Sequence, residues 1–264
     1  MTQSRPGTAL ITGASSGIGA IYAERLARRG YDLILVARNR DRLEALATQL
    51  SEETERHIEV LVADLSNKAD LARVEERLRT DANISLLLNN AGVGATQPLL
   101  ESNVDKLEEL LTLNVNVLMR LAYAVVPGFV ARGGGTLINI ASIVAIAPEV
   151  LNGVYGGSKA FVLAFSQSLR HELADKGVSV QVVLPGATAT EFWSVAGTPL
   201  EHLPDSIVMS ASDMVDAALS GLDQGEFVTI PALPEIADLN AYEAARQKLM
   251  PNLSLSAPAA RYRK

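Results

Sequence analysis

Apolar positions in this chain come in two textures. Short runs that are almost wholly apolar occupy 8–12, 32–37, 57–63, 84–88, 136–140 and 178–184. Between them lie longer stretches with apolar residues three and four apart. An unbroken apolar run suits a strand buried on both faces, and the wider spacing suits an amphipathic helix. The pattern therefore predicts strands over those six runs and a seventh over 227–230. It predicts helices from the first glycine-rich turn to Arg29, then over 41–50, 68–79, 103–130, 155–174 and 211–222, with a helical tail to about residue 249. Gly30 is placed to stop the first helix, and Asp41 to cap the second. Pro127 and Gly128 are placed to end the long one, and Gly177 breaks the helix before the sixth strand. The stretch 187–210 mixes Thr, Pro and Gly with Trp193 and His202, and reads as a candidate lid over a substrate.

Strands alternating with helices argue an α/β fold, a doubly wound and mostly parallel seven-stranded sheet with helices on both faces. No repeat, linker or low-complexity tract interrupts the chain, so 1–264 reads as a single domain with an extension from about 231.

Composition narrows the function. A net charge of −7 argues against a nucleic-acid partner. There are no cysteines, so disulfides and thiolate metal sites are excluded. The three histidines, His57, His171 and His202, form no ligand-like cluster, and no metal is expected. Residues 1–7 are polar and too short for a signal peptide, and no apolar run approaches the roughly 18 residues of a membrane span. The expectation is a soluble cytoplasmic protein.

The candidate chemistry gathers where strands end. Gly13, Gly17 and Gly19 follow the first strand and open a helix, with Ser15, Ser16 and Ile18 between them. Strand, glycine-rich turn and helix is the context in which such glycines let a pyrophosphate approach the backbone and the helix N-terminus. Arg38 follows the second strand where a carboxylate would select NAD, so it favours the 2′-phosphate of NADP(H) over NAD(H). Asp64 and Leu65 follow the third strand; Asp64 suits either an adenine amino group or the cap of the next helix. Asn89, Asn90, Ala91 and Gly92 follow the fourth, either to brace the sheet or to line a cofactor. Ser142 follows the fifth, and Pro185 and Gly186 the sixth. Tyr155 and Lys159 lie four apart, on one face of a helix. An ammonium there would favour a tyrosinate and make Tyr155 a general acid near neutral pH. Asn114 sits mid-helix among apolar residues, bonding either a neighbouring backbone or a water behind Lys159.

This combination, over about residues 8–230, resembles the classical short-chain dehydrogenase/reductase family, whose fold is Rossmann-type. The matches are Thr12 to Gly19, Asp64, Asn89 to Gly92, Asn114, Ser142, Tyr155 with Lys159, and Pro185-Gly186 on to Thr190. The resemblance implies a nicotinamide cofactor and a catalytic tetrad of Asn114, Ser142, Tyr155 and Lys159. By it, Ser142 polarises a carbonyl and Tyr155 donates the proton. Lys159 lowers the tyrosine pKa and bonds the nicotinamide ribose, and Asn114 holds a relay water. Thr188 or Thr190 contacts the carboxamide, with Thr190 the better fit. NADP-preferring members often carry a second basic residue in the glycine loop; here Ser15 and Ser16 stand there. The expected activity interconverts a carbonyl and an alcohol on a small or medium, partly apolar substrate, with Ile143, Val144, Phe192 and Trp193 as its lining. The family also implies a homodimer or homotetramer. Two other readings stay open: a non-catalytic NADP-binding sensor, which would usually lose a tetrad member, and a fold relative running non-redox chemistry.

Overall fold

The computed structural model describes residues 6–263, so the first five residues and Lys264 lie outside the described residues. It falls into two compact units, 1–231 and 232–264.

The first unit is built on seven parallel strands in the order β3-β2-β1-β4-β5-β6-β9. They are β1 (Thr8–Thr12), β2 (Asp32–Ala37), β3 (Ile58–Val62), β4 (Ile84–Asn89), β5 (Gly135–Ile140), β6 (Val178–Val183) and β9 (Val228–Thr229). The unbroken apolar runs are explained by two cores, one on each face. Ala9 and Ile11 of β1 face one way with Leu33, Leu35, Leu86 and Leu88, and pack against α1 (Gly17–Arg28), α2 (Arg40–Thr54) and α8 (Ala211–Asp223). Leu10 faces the other way with Ile34, Val36, Leu87 and Leu137. That core packs against α3 (Lys68–Thr80), α5 (Leu118–Ala131) and the end of α6 (Gly153–Glu172). The central strands thus remove both sets of side chains from water, at roughly 25 cal/mol per Å² of apolar surface, while the edge strand β3 is only half-buried. The strand order reverses between β1 and β4, which opens a crevice at their carboxyl ends.

Five expectations about elements need correction. The run 103–130 is not one regular helix. It comprises α4 (Val104–Leu111), a π-helical segment Thr112–Val117, and α5. Pro127 lies inside α5, which continues to Ala131, and the long helix needs no stop there. Asn39, not Asp41, caps α2 by accepting from the Arg42 N–H, and Asn67, not Asp64, caps α3. An Asn one residue before the first turn satisfies orphan N–H groups that Asp41, already inside its helix, and Asp64, three residues ahead of the cap, do not reach. Finally, Val104–Ala131 is long and apolar enough, by length and composition, to cross a membrane, although no single apolar run in it suggested so. Its buried residues, among them Leu121, Val125 and Phe129, pack on the sheet.

The stretch 187–210 is more ordered than a loop. Strands β7 (Thr188–Ala189) and β8 (Met209–Ser210) pair in parallel, and α7 (Phe192–Ala196) lies between them. The second unit, described by itself, is α9 (Ile236–Leu249) followed by two short 3-10 turns, and α9 has no buried residue.

Candidate active site

The sequence-predicted residues converge on the carboxyl edge of the central strands. Thr12, at the end of β1, organises it. Its hydroxyl donates to Leu88 O (3.2 Å) and accepts from the N–H groups of Asn90 and Ala91 (3.0 Å each). Asn90 in turn donates to Thr12 O (2.9 Å) and Gly13 O (3.2 Å). Asn89 points the other way and donates to Asn139 of β5 (3.0 Å). Both asparagine amides therefore brace the sheet, and what they leave at the crevice is the backbone of Ala91 and Gly92.

The glycine loop closes on the same place. Gly17 has φ +52°, in the left-handed region that favours glycine, and a side chain there would press on Thr190 at 3.1 Å. A side chain on Gly19 would overlap the Gly13 carbonyl, so the helix could not sit this near its strand. Ser16 stands at the N-cap of α1 in extended conformation, yet makes no side-chain capping bond, and no acidic residue occupies the first turn. The hydroxyl and the positive end of the helix are both free for an anion. Arg38, after β2, is exposed and has no ionic or hydrogen-bonding partner among the described residues. Its neighbours differ: Arg40 pairs with Glu44 and Arg42 with Glu191. Asp64 is half-buried and engaged locally, its N–H donating to Asp70 and its carboxylate accepting from the Ser66 N–H. Leu65 is buried beside it.

At the end of β5, Ser142 donates to Pro185 O at 3.4 Å and accepts from the Val144 N–H at 3.4 Å, both long bonds that leave the hydroxyl loosely held. Asn152 caps α6 by accepting from Val154 and Tyr155, while its amide holds Gln97 O (2.6 Å) and Ser102 (3.1 Å). This anchors the first turn of the helix that carries the tyrosine. Asn152 was missed from sequence, although an Asn directly before a helix start is a cap signal.

Tyr155 and Lys159 are both buried, with the ammonium 5.8 Å from the ring centroid. Lys159 Nζ donates to Ile140 O at 3.1 Å and has no carboxylate partner among the described residues. Burial pushes Lys159 down to about 8 and Tyr155 up to about 12; a hydrogen bond with Ser142 opposes the second shift. Desolvation therefore sets the direction of the tyrosine's shift, opposite to the lowering expected from Lys159. Asn114, in the π-helical turn, accepts from Val93 N–H (2.9 Å) and donates to Val93 O (2.8 Å) and to Ser158 Oγ (3.3 Å). Its amide clamps the loop after β4. A side chain at Gly92 would meet Asn114 Oδ1 at 3.0 Å and Lys159 Nζ at 3.7 Å, so all three meet at one point.

Thr188 and Thr190 part company. Thr188 is buried, donates to Gly186 O (3.2 Å) and receives the Trp193 indole N–H on its carbonyl (3.0 Å). Thr190 lies against Gly17 and accepts from the Phe192 N–H (3.3 Å). Of the expected lining, Val144 and Trp193 are buried packing residues, while Ile143 and Phe192 pack about Tyr155. Val93, Ala95, Leu107, Leu151 and Val154 join them, an apolar wall with no charged member. These wall residues had no local sequence signal, because they come from four separate segments.

Comparison with known proteins agrees with this geometry. The sequence model of the short chain dehydrogenase family matches residues 7–199. A short-chain dehydrogenase from Sphingobium yanoikuyae, solved in complex with NADPH, is 51% identical, with 97% of this chain and 100% of that one covered and a TM-score of 0.94. A bulky-bulky ketone specific alcohol dehydrogenase from Comamonas testosteroni is 46% identical over 99% of this chain and 100% of its own, with a TM-score of 0.90. The chain is also 34% identical to the hydroxysteroid dehydrogenase-like protein 1 of Gallus gallus over 188 residues, which are 70% of this chain and 57% of that longer protein.

Proposed function

The chain belongs to the short-chain dehydrogenase/reductase family, and from that premise we propose that it is an NADP(H)-dependent oxidoreductase that interconverts ketones carrying bulky apolar groups with their alcohols. One observation carries the reading. A buried ammonium, Lys159, hydrogen-bonds only a backbone carbonyl among the described residues, beside the ring of a buried phenol and a loosely held serine hydroxyl. A buried charge without a partner is costly unless a ligand completes its shell. The ribose hydroxyls of a dinucleotide are of the right kind.

The residues present fit that cofactor. The uncapped start of α1 receives the pyrophosphate, Arg38 the 2′-phosphate, and Thr190 with the loop at Gly92 the nicotinamide end. When bound, NADPH supplies a hydride. The protein's own work is to position the carbonyl and move a proton. Ser142 donates a hydrogen bond to the carbonyl oxygen. Tyr155 donates its proton to that oxygen, and Lys159 stabilises the tyrosinate left behind. A phenol held near 12 is a poor acid by itself, so this step needs the ammonium charged and close. Asn114 keeps the loop after β4 in register with both. The apolar wall about Tyr155, together with likeness to a dehydrogenase named for bulky-bulky ketones, selects the substrate class. Pairing of subunits through α5 and α6 belongs to the same reading. There Tyr123, which is exposed, stacks on Phe165, and Phe165 stacks on Phe161.

The test is consumption of NADPH, followed by the absorbance of the reduced nicotinamide, with benzophenone and acetophenone as substrates. Tyr155→Phe should lower kcat by about 10²–10⁴-fold and leave the NADPH dissociation constant within about twofold. Undiminished turnover in that variant would remove Tyr155 as the proton donor.

A further inference from the structure

The ring of Phe192 stands beside Tyr155, with centroids 5.9 Å apart and planes tilted by 47°. The Cζ end of the ring fills a notch. A side chain at Gly94 would come within 2.8 and 2.9 Å of Phe192 Cε2 and Cε1, and nearer still to Cζ. No side chain can occupy that space while the ring is there. Gly94 does not need to be glycine for its backbone, since its φ lies outside the left-handed region. What it provides is room.

The ring is held in the notch from both ends of its helix. On one side Trp193 stacks edge-on against it at 5.6 Å and is itself tied to Thr188 O. On the other, Ala196 O accepts from both the N–H (3.2 Å) and the hydroxyl (2.9 Å) of Thr96, two residues beyond Gly94. Thr198 adds a hydroxyl bond to Thr96 at 3.0 Å. The segment after β4 and the helix α7 are therefore stitched together a few Å from the proton donor, with Phe192 lodged between them.

We propose that Gly94 and Phe192 form one specificity-determining pair: the glycine notch parks the phenyl ring back from Tyr155, and so sets how large a group the carbonyl carbon can carry. The inference rests on the ketone reductase reading above and adds to it which residues decide size. Adding one methyl group at Gly94 drives the ring out of its seat toward the carbonyl position. Interiors are packed closely enough that the displaced ring must take volume from its neighbour, here the substrate. Removing the ring makes the notch irrelevant.

Two ketones and three variants test this. For each, kcat/KM is measured on benzophenone, with two rings, and acetophenone, with a ring and a methyl group. Gly94→Ala should lower the benzophenone-to-acetophenone ratio by about tenfold or more, the scale expected from small volume changes in an apolar pocket. Phe192→Ala should leave the ratio unchanged or raise it. In Gly94→Ala with Phe192→Ala the ratio should match that of Phe192→Ala alone, because contacting residues are non-additive. NADPH affinity, read by titration, should be the same in all four proteins, which separates a size effect from a damaged fold. A ratio unmoved by Gly94→Ala, or a loss that persists without the ring, overturns the pair while leaving the reductase reading intact. A wild-type protein that binds NADPH and reduces neither ketone overturns the reading, and the pair with it.

Discussion

Lys159 shows how far a single residue's environment can reverse a simple expectation. Four residues from Tyr155, it promised a charge that would acidify the phenol; burial instead holds its own pKa near 8, against 10.5 in water. Between about pH 8 and 10 the folded protein has shed this proton while the unfolded chain keeps it, so stability rises with pH across that window. Tyr155 acts oppositely: from about 10 to 12 the unfolded chain ionises and the folded one does not, and stability falls. Lys159→Met should abolish the first rise, worth about 2 kcal/mol between the two pH values, in urea melts at pH 7.5 and 9.5 compared with wild type. Equal slopes in the two proteins would mean that the ammonium already has a partner. Arg38 is the other residue whose isolation matters. Arg38→Asp should weaken NADPH at least tenfold and NADH by little, since the two differ only at the 2′-phosphate. Equal weakening would take Arg38 out of that contact.

At the level of elements, the π-helical turn Thr112–Val117 is the departure with the most consequence. Placing Asn114 there lets one amide serve both the N–H and the carbonyl of Val93, and so fixes the loop that runs from Gly92 to Gly94. Sites where the i→i−4 ladder opens often carry function. Asn114→Ala would leave both Val93 groups without that partner, at a cost of about 1–3 kcal/mol in a urea melt. It should also lower kcat, because Gly92 sits against Lys159 and Gly94 beneath Phe192. Loss of stability with kcat unchanged would confine Asn114 to bracing. That Asn114 bonds a backbone was one of the two readings the sequence left open; the π turn and the partner Val93 were not readable in the pattern of 103–130, where the apolar spacing runs straight through. A π turn inserts one residue per turn without changing which residues are apolar.

For the whole molecule, cofactor and fold are linked by mass action. NADPH at a hundred times its dissociation constant should stabilise the protein by about 2.7 kcal/mol, or roughly 5–10 °C in a thermal melt of a chain this size. NADH at the same concentration should give a clearly smaller shift, and equal shifts would overturn the NADP(H) preference. The sequence alone settled the alternation of strands and helices, the parallel sheet, and the strand-end positions of the glycine loop, Asn90 and Ser142. It could do so because strand burial and glycine-rich turns are local, written in neighbouring residues. Tertiary structure decided the rest. The pKa values of Tyr155 and Lys159 depend on what surrounds them from other elements. The apolar wall collects Val93, Leu107, Leu151 and Phe192 from segments far apart in the chain. The seat of Phe192 on Gly94 joins residues nearly a hundred positions apart, and only packing in three dimensions brings a ring to the place where a side chain is missing.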